Sequence, residues 1–339
     1  MKALLKRIVA GILLLALLVV SGCSLQTPEI KDYVIVQDQL GREVKVPAEV
    51  KSIVSTWYIG TSLLLSLGAG DRLVAVEQQA DKRPLYPQVA PELVKLPEIG
   101  TAKTMNLEEV VKLKPDLVVV PTRMEDYVKQ LEQQNITVIA VEPEDLESLP
   151  AAITIVGNAI GETERAQKLV DYYWDKVDHA QSVAAQSKDQ PKVYMGGSDS
   201  VLRTCSNQMF QHTMMELAGG KNVAAELNQG YWTDISYEQL IAWNPEVIFT
   251  VRDANYTKAD LVEDPKWQVL TAVKSGQIYT FPSALEPWDY PIPATVLGLM
   301  WMTHLLHPEA YDQAEFHNDV VYFYQEFYGI KTTPTELGL

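Results

Sequence analysis

Between Lys51 and Val141 the chain alternates short β-branched apolar runs with stretches of helical spacing: Lys51 to Thr56, a helix from about Gly60 to Leu67, then Leu73 to Glu77. Leu117-Val118-Val119-Val120 follows Lys114-Pro115-Asp116, and Thr137 to Val141 follows an Asn-containing break. Unbroken apolar runs of this length suit parallel strands buried on both faces. The pattern predicts an α/β lobe over residues 32–148. From Leu149 to Gln186 no strand-like run occurs, and Ala151, Ile155, Ala159, Ala166, Leu169, Val170, Tyr173 and Val177 recur at helical spacing. This predicts a long connecting helix over 149–186, divided at Gly157 and Gly161, whose second piece opens on acidic residues. A strand from Lys192 to Met195 opens a second α/β region over 191–339.

The second region echoes the first. Asn106-Leu107-Glu108, followed by Lys114-Pro115-Asp116-Leu117-Val118, lines up with Ser236-Tyr237-Glu238, followed by Asn244-Pro245-Glu246-Val247-Ile248. Each copy reads as N-cap, short helix, proline stop, acid and buried strand. Two similar lobes joined by a long helix place a cleft between them.

Residues 1–22 do not belong to this pattern. Lys2, Lys6 and Arg7 precede the apolar run Ile8 to Val20, too short for a comfortable membrane span and typical of an export signal. The run ends in Val20-Ser21-Gly22-Cys23, small residues before a cysteine, which resembles a bacterial lipobox and predicts lipidation of Cys23, with residues 23–31 as a tether. Cys205 then has no partner, so a disulfide framework is excluded. The 339 residues carry 44 acidic against 28 basic side chains, a net charge of −16 that argues against nucleic acid as partner.

Catalytic signatures are scarce: the chain has no phosphate-loop Gly-Lys-Ser/Thr, no His-Glu-x-x-His, no Cys-x-x-Cys and no Gly-x-Ser-x-Gly. His304 and His307, three apart near Pro308, read as helix C-terminal residues rather than metal ligands. Large aromatic and basic side chains stand instead at predicted strand exits, where α/β proteins bind ligands: Trp57-Tyr58, Arg123, Tyr231-Trp232, Arg252 and Trp288-Asp289-Tyr290. Glu108 and Glu238, each second in its helix, suit the helix dipole, and their repetition in both lobes suggests paired docking acids for a partner bearing arginines.

The lipobox, the paired Glu-to-Pro segments and Ala218-Gly219-Gly220-Lys221-Asn222-Val223 together resemble the substrate-binding lipoproteins of bacterial ABC importers, the class that binds iron–siderophore complexes, haem or cobalamin. The likeness runs from about Val36 to Pro308. It implies an α/β fold of two Rossmann-like lobes joined by one rigid helix, with little hinge closure and a ligand cleft between the lobes. It implies that Glu108 and Glu238 meet arginines of the permease dimer, which works with its ATPase subunits. It also places Trp57, Tyr58, Trp232 and Trp288 in the cleft, with Arg123 and Arg252 as weaker correspondences; Tyr231 and Tyr290 join the expected ligand residues from their strand-exit positions alone. The expected protein is a monomer without a resident cofactor, held outside the cytoplasm by its lipid, whose ligand is a metal chelate: ferric siderophore first, then cobalamin or haem. A related branch carries molybdate or tungstate. An exported hydrolase using Asp234, Glu238 and Tyr231 is the remote enzyme alternative, and an adhesive surface lipoprotein a third.

Overall fold

The computed structural model describes residues 32–187, 190–228 and 230–339. The leader and the lipidation site at Cys23 lie outside the described residues. Tyr33–Leu339 forms one compact unit. It opens with a feature the sequence pattern did not announce, an antiparallel hairpin of β1 (Tyr33–Gln37) and β2 (Glu43–Pro47). Its tip is held by Asp38, whose carboxylate accepts from the backbone N–H groups of Leu40, Arg42 and Ala140.

The first lobe is a five-stranded parallel sheet in the order β5 (Glu98–Gly100), β4 (Leu73–Glu77), β3 (Ile53–Ser55), β6 (Leu117–Pro121), β7 (Val138–Val141). Helix α1 (Tyr58–Ser66) leaves β3, α2 (Leu107–Leu113) leads into β6, and α3 (Glu125–Gln133) leads towards β7. Strand order therefore reverses between β3 and β6, and the crevice beyond their carboxyl ends is where such sheets take ligands.

The connecting segment is two helices, α4 (Ser148–Ala159) and α5 (Thr163–Gln186). The break falls at Ile160-Gly161-Glu162, where Gly161 adopts φ +78°. Gly157 does not divide the helix as expected. It lies within α4 at a close approach to α5, where a Cβ would sit 2.3 Å from that of Ala166.

The second lobe is built on β8 (Lys192–Gly196) and orders its strands β11 (Trp232–Asp234), β9 (Arg203–Cys205), β8, β12 (Val247–Thr250), β13 (Ile278–Thr280), with β10 (Lys221–Asn222) also on β8. The strands β8, β12 and β13 are parallel, whereas β9 and β11 run antiparallel at one edge. Helices α6 (Phe210–Leu217) and α7 (Tyr237–Trp243) belong to this lobe, and α8 (Thr295–Leu306) and α9 (Gln313–Tyr328) close the chain.

Those last two helices do more than complete the second lobe: α8 packs on α5, and α9 reaches α1 of the first lobe. Arg165 of α5 ties the junction, donating to the carbonyls of Ser66 at 2.8 Å and Phe327 at 2.7 Å. One hydrophobic core consequently runs from Ile53, Leu63 and Val119 through Leu169 and Tyr173 to Val193, Phe249 and Phe323. No helix among the described residues is long and apolar enough to cross a membrane.

Candidate ligand-binding site

The two Glu-to-Pro copies fold alike. Asn106 caps α2 by accepting from Glu109 N at 3.2 Å, and Ser236 caps α7 by accepting from Gln239 N at 3.1 Å. Lys114 and Asn244 end the helices in the left-handed region at φ 49° and 45°. The acid after each proline then fastens the start of the central strand: Asp116 accepts from the backbone N–H groups of Lys51 and Ser52 at 2.9 Å, and Glu246 from Lys192 N at 2.7 Å. Because α2 and α7 run back against the strands they feed, Glu108 and Glu238 stand at the same ends of the lobes as the strand exits. Both are exposed, and neither lines the cavities between the lobes.

Those cavities form one trench. Its first segment, about 620 Å³, includes Arg123, Phe210, Tyr231 and Trp232 in its walls. The middle segment, about 360 Å³, shares Arg123, Gln211 and Trp232 with the first and adds Trp57, Asp289 and Tyr290. The last, also about 360 Å³, shares Trp57 and Tyr290 and adds Tyr58, Glu77 and Arg83. The walls come from the exits of β3, β4, β6 and β7 in one lobe and, in the other, from the exits of β8 and β12, the start of α6 and the start of β11.

Its two arginines are held differently, Arg123 by acids and Arg83 by an aromatic ring. Arg123 donates to Glu142 at 2.6 Å and to Glu144 at 2.7 Å, while Thr122 donates to Glu142 as well. Burial, and then the neighbouring Glu142, raise the Glu144 carboxyl above the usual range. Arg83 lies 4.0 Å over the Tyr58 ring, and that ring meets Tyr290 of the other lobe edge-on at 6.2 Å. Buried acids add to the negative character: Glu77, raised by burial, accepts from Thr61 and Tyr86 at 2.6 Å, and burial pushes Asp289 up to about 6.

Among the expected ligand residues, Trp57, Tyr58, Arg123, Tyr231, Trp232 and Tyr290 gather on the trench. Two do not. Trp288 is a core residue, 1% exposed, whose indole N–H donates to Tyr324 at 2.9 Å and whose ring meets Phe316 edge-on. The return of α9 over that segment buries it. The Arg252 guanidinium turns to Asp253 at 2.7 Å and lines none of the three segments. Sequence reasoning missed Gln211, Glu142 and Glu144, which carry no aromatic or cationic signal at a strand exit.

His304 and His307 do not converge as a metal pair. His304 Nδ1 bonds the Tyr311 carbonyl at 2.8 Å, and His307 packs against Gly219. No cluster of three metal-binding side chains occurs among the described residues. Cys205 is wholly buried in β9, and burial pushes its thiol up to about 12, which leaves it unreactive. The acids of the hydrolase alternative, Asp234 and Glu238, are exposed and outside the trench.

Comparison with known proteins agrees with this geometry. The molybdate-binding protein MolA of Haemophilus influenzae is 26% identical, over 88% of this chain and 92% of its own. Its structure with molybdate bound superposes with a TM-score of 0.77 at 25% identity, covering 89% of this chain and 99% of that one. A periplasmic solute binding protein from Veillonella parvula superposes with a TM-score of 0.81 at 25% identity, covering 90% and 96%. A vitamin B12-binding protein of Salmonella paratyphi A is 30% identical over 56% of this chain and 69% of its own. By their names these relatives bind solutes. The family model for periplasmic binding proteins matches residues 53–285, and the chain belongs to that family.

Proposed function

We propose that the protein is the substrate-binding lipoprotein of an ABC importer and that it captures a metal chelate, a ferric siderophore or a corrinoid, in the trench between its lobes. The size and lining of that trench carry the reading: three joined segments of about 620, 360 and 360 Å³, walled by Trp57, Tyr58, Phe210, Tyr231, Trp232 and Tyr290, suit a large ligand with flat apolar surface. Because both Arg123 donor contacts go to carboxylates, the Trp232 end of the trench prefers an uncharged or cationic chelate over a polyanion such as a ferric catecholate. Cys23 carries the lipid, and Glu108 and Glu238 hand the loaded protein to the permease.

A second reading, a small oxyanion, is favoured by the likeness to MolA and by the start of α1, where Trp57 supplies no side-chain cap to the first amides. Calorimetric titration of the purified protein with ferric hydroxamate, ferric catecholate, haemin, cobalamin and molybdate separates the two. Saturable micromolar or tighter binding of a hydroxamate or corrinoid chelate is the expected result. Binding of molybdate alone transfers the function to the second reading, and no binding of any of the five overturns the first.

A further inference from the structure

The two tryptophans of the middle segment, Trp57 and Trp232, come from opposite lobes, and each rests on a buried glycine. Trp57 stands at the N-cap of α1, and its indole folds back over the first turn onto Gly60: a Cβ there would sit 2.3, 2.7 and 2.8 Å from Cζ3, Cε3 and Cη2 of the ring. Trp232, the first residue of β11, lies over Gly197, where a Cβ would meet Cε3 and Cζ3 at 3.1 and 3.2 Å and the Arg203 carbonyl oxygen at 3.1 Å. Carbon atoms in contact stand about 3.5–4.0 Å apart, so a side chain at Gly60 must move the ring, and one at Gly197 makes its ring give way by less.

Backbone freedom does not explain either glycine. Gly60 lies inside α1, where alanine is the better helix former, and neither residue has a positive φ. What both share is the close approach of an indole. The two seats are also equivalent in the fold. Strands β3 and β8 each stand at the middle of their sheet order; Gly60 lies in the helix that leaves β3, and Gly197 is the first residue beyond β8. Trp57 is otherwise packed in the shared core and Trp232 packs against that core, so a ring lifted off its glycine has the cavity as its open side.

We infer that Gly60 and Gly197 are positioning residues for solute capture: by letting the two indoles lie close against the main chain, they set the width of the middle segment, through which the Trp232 end and the Tyr58 end of the trench connect. This rests on the proposed capture of a bulky chelate and deepens it, since one small residue in each lobe keeps the trench continuous for a solute that spans its segments. A Cβ at Gly60, in hard contact with three ring atoms, narrows that passage more than one at Gly197.

The test takes the purified protein with ferrichrome, an uncharged ferric hydroxamate, and cyanocobalamin as bulky probes. Fluorotryptophan labelling follows the rings, with the Trp57 and Trp232 signals assigned from Trp57→Phe and Trp232→Phe. Gly60→Ala is expected to shift the Trp57 fluorine resonance and to weaken binding of whichever chelate the wild type takes by about tenfold; Gly197→Ala should shift the Trp232 resonance and weaken binding by about threefold. In a Trp57→Ala background, with no ring to displace, Gly60→Ala should cost nothing further in affinity or melting temperature. If Gly60→Ala alone does not fold, the double variant should fold and melt with Trp57→Ala; a double variant that also fails overturns the inference. Equal losses of affinity in both backgrounds, unmoved resonances, or wild-type affinity in both glycine variants overturn it as well and leave the capture reading standing. A wild type that binds neither chelate overturns the capture reading, and the inference with it.

Discussion

Trp232 and Trp288 look alike in the sequence, each an indole at a strand exit beside another aromatic or acid, yet they do opposite work. Trp232 lines two segments of the trench, whereas Trp288 sits under α9 with its N–H bound to Tyr324. Trp232→Ala should therefore weaken ligand binding by about 1–3 kcal/mol and leave stability nearly unchanged. Trp288→Ala should cost about 3–5 kcal/mol of folding stability in denaturant titration. The strand-exit position expected for Trp232 is not observed, since it is the first residue of β11 and faces the trench from there; that the C-terminal helix covers Trp288 was not legible either, because both depend on contacts across the whole chain. Glu286 is the other residue that only the fold explains. It is wholly buried, accepts from Tyr328 at 3.0 Å, and burial pushes it up to about 8. The unfolded chain releases this proton near the ordinary carboxylate range and the folded chain only near pH 8. The stability from the protonated form is thus complete below about pH 4.5, declines as pH rises between those values, and is gone above pH 8. Thermal melts between pH 5 and 8.5 should show Glu286→Gln gaining on the wild type as pH rises, by up to a few kcal/mol. Parallel curves for the two proteins would remove Glu286 from the pH response.

At the scale of elements, the repeated segments were the most legible part of the chain because their logic is local. An N-cap, a short helix, a left-handed stop and an acid that fastens the central strand recur in both lobes with the same partners. Strands β3, β4, β6, β7 and β8 fall where their apolar runs predict them. The hairpin β1–β2 and the antiparallel strands β9 and β11 were not legible. They are short, partly exposed and set by pairing with distant residues, as Trp232 pairs with Cys205. Symmetry at this level also carries a prediction. Glu108 and Glu238 are exposed at equivalent helix starts and outside the trench, so replacing both with alanine should leave ligand affinity intact and abolish uptake in cells. Lost affinity with uptake per bound ligand unchanged would contradict their docking role.

The molecule as a whole behaves as one body because its apolar interior does not stop at the lobe boundary. The bridging helix α5, the returning helices α8 and α9, and Arg165 between them join both sheets into one core. Rigidity of this kind was implied by the family resemblance, but its cause, a C-terminal helix laid back on the first lobe, emerges only from the fold. A trench set in such a core is expected to take its ligand between walls from both lobes without a large closure. Hydrogen exchange of the purified protein, with and without the chelate that saturates it, tests this most directly. Protection is expected at the β3 exit around Trp57, at Thr122–Met124, at Gln208–Gln211 and at Tyr231–Trp232, with little change in the shared core. Protection confined to one lobe, or centred on the separate groove lined by Tyr279, Trp301 and His317, would contradict capture between the lobes.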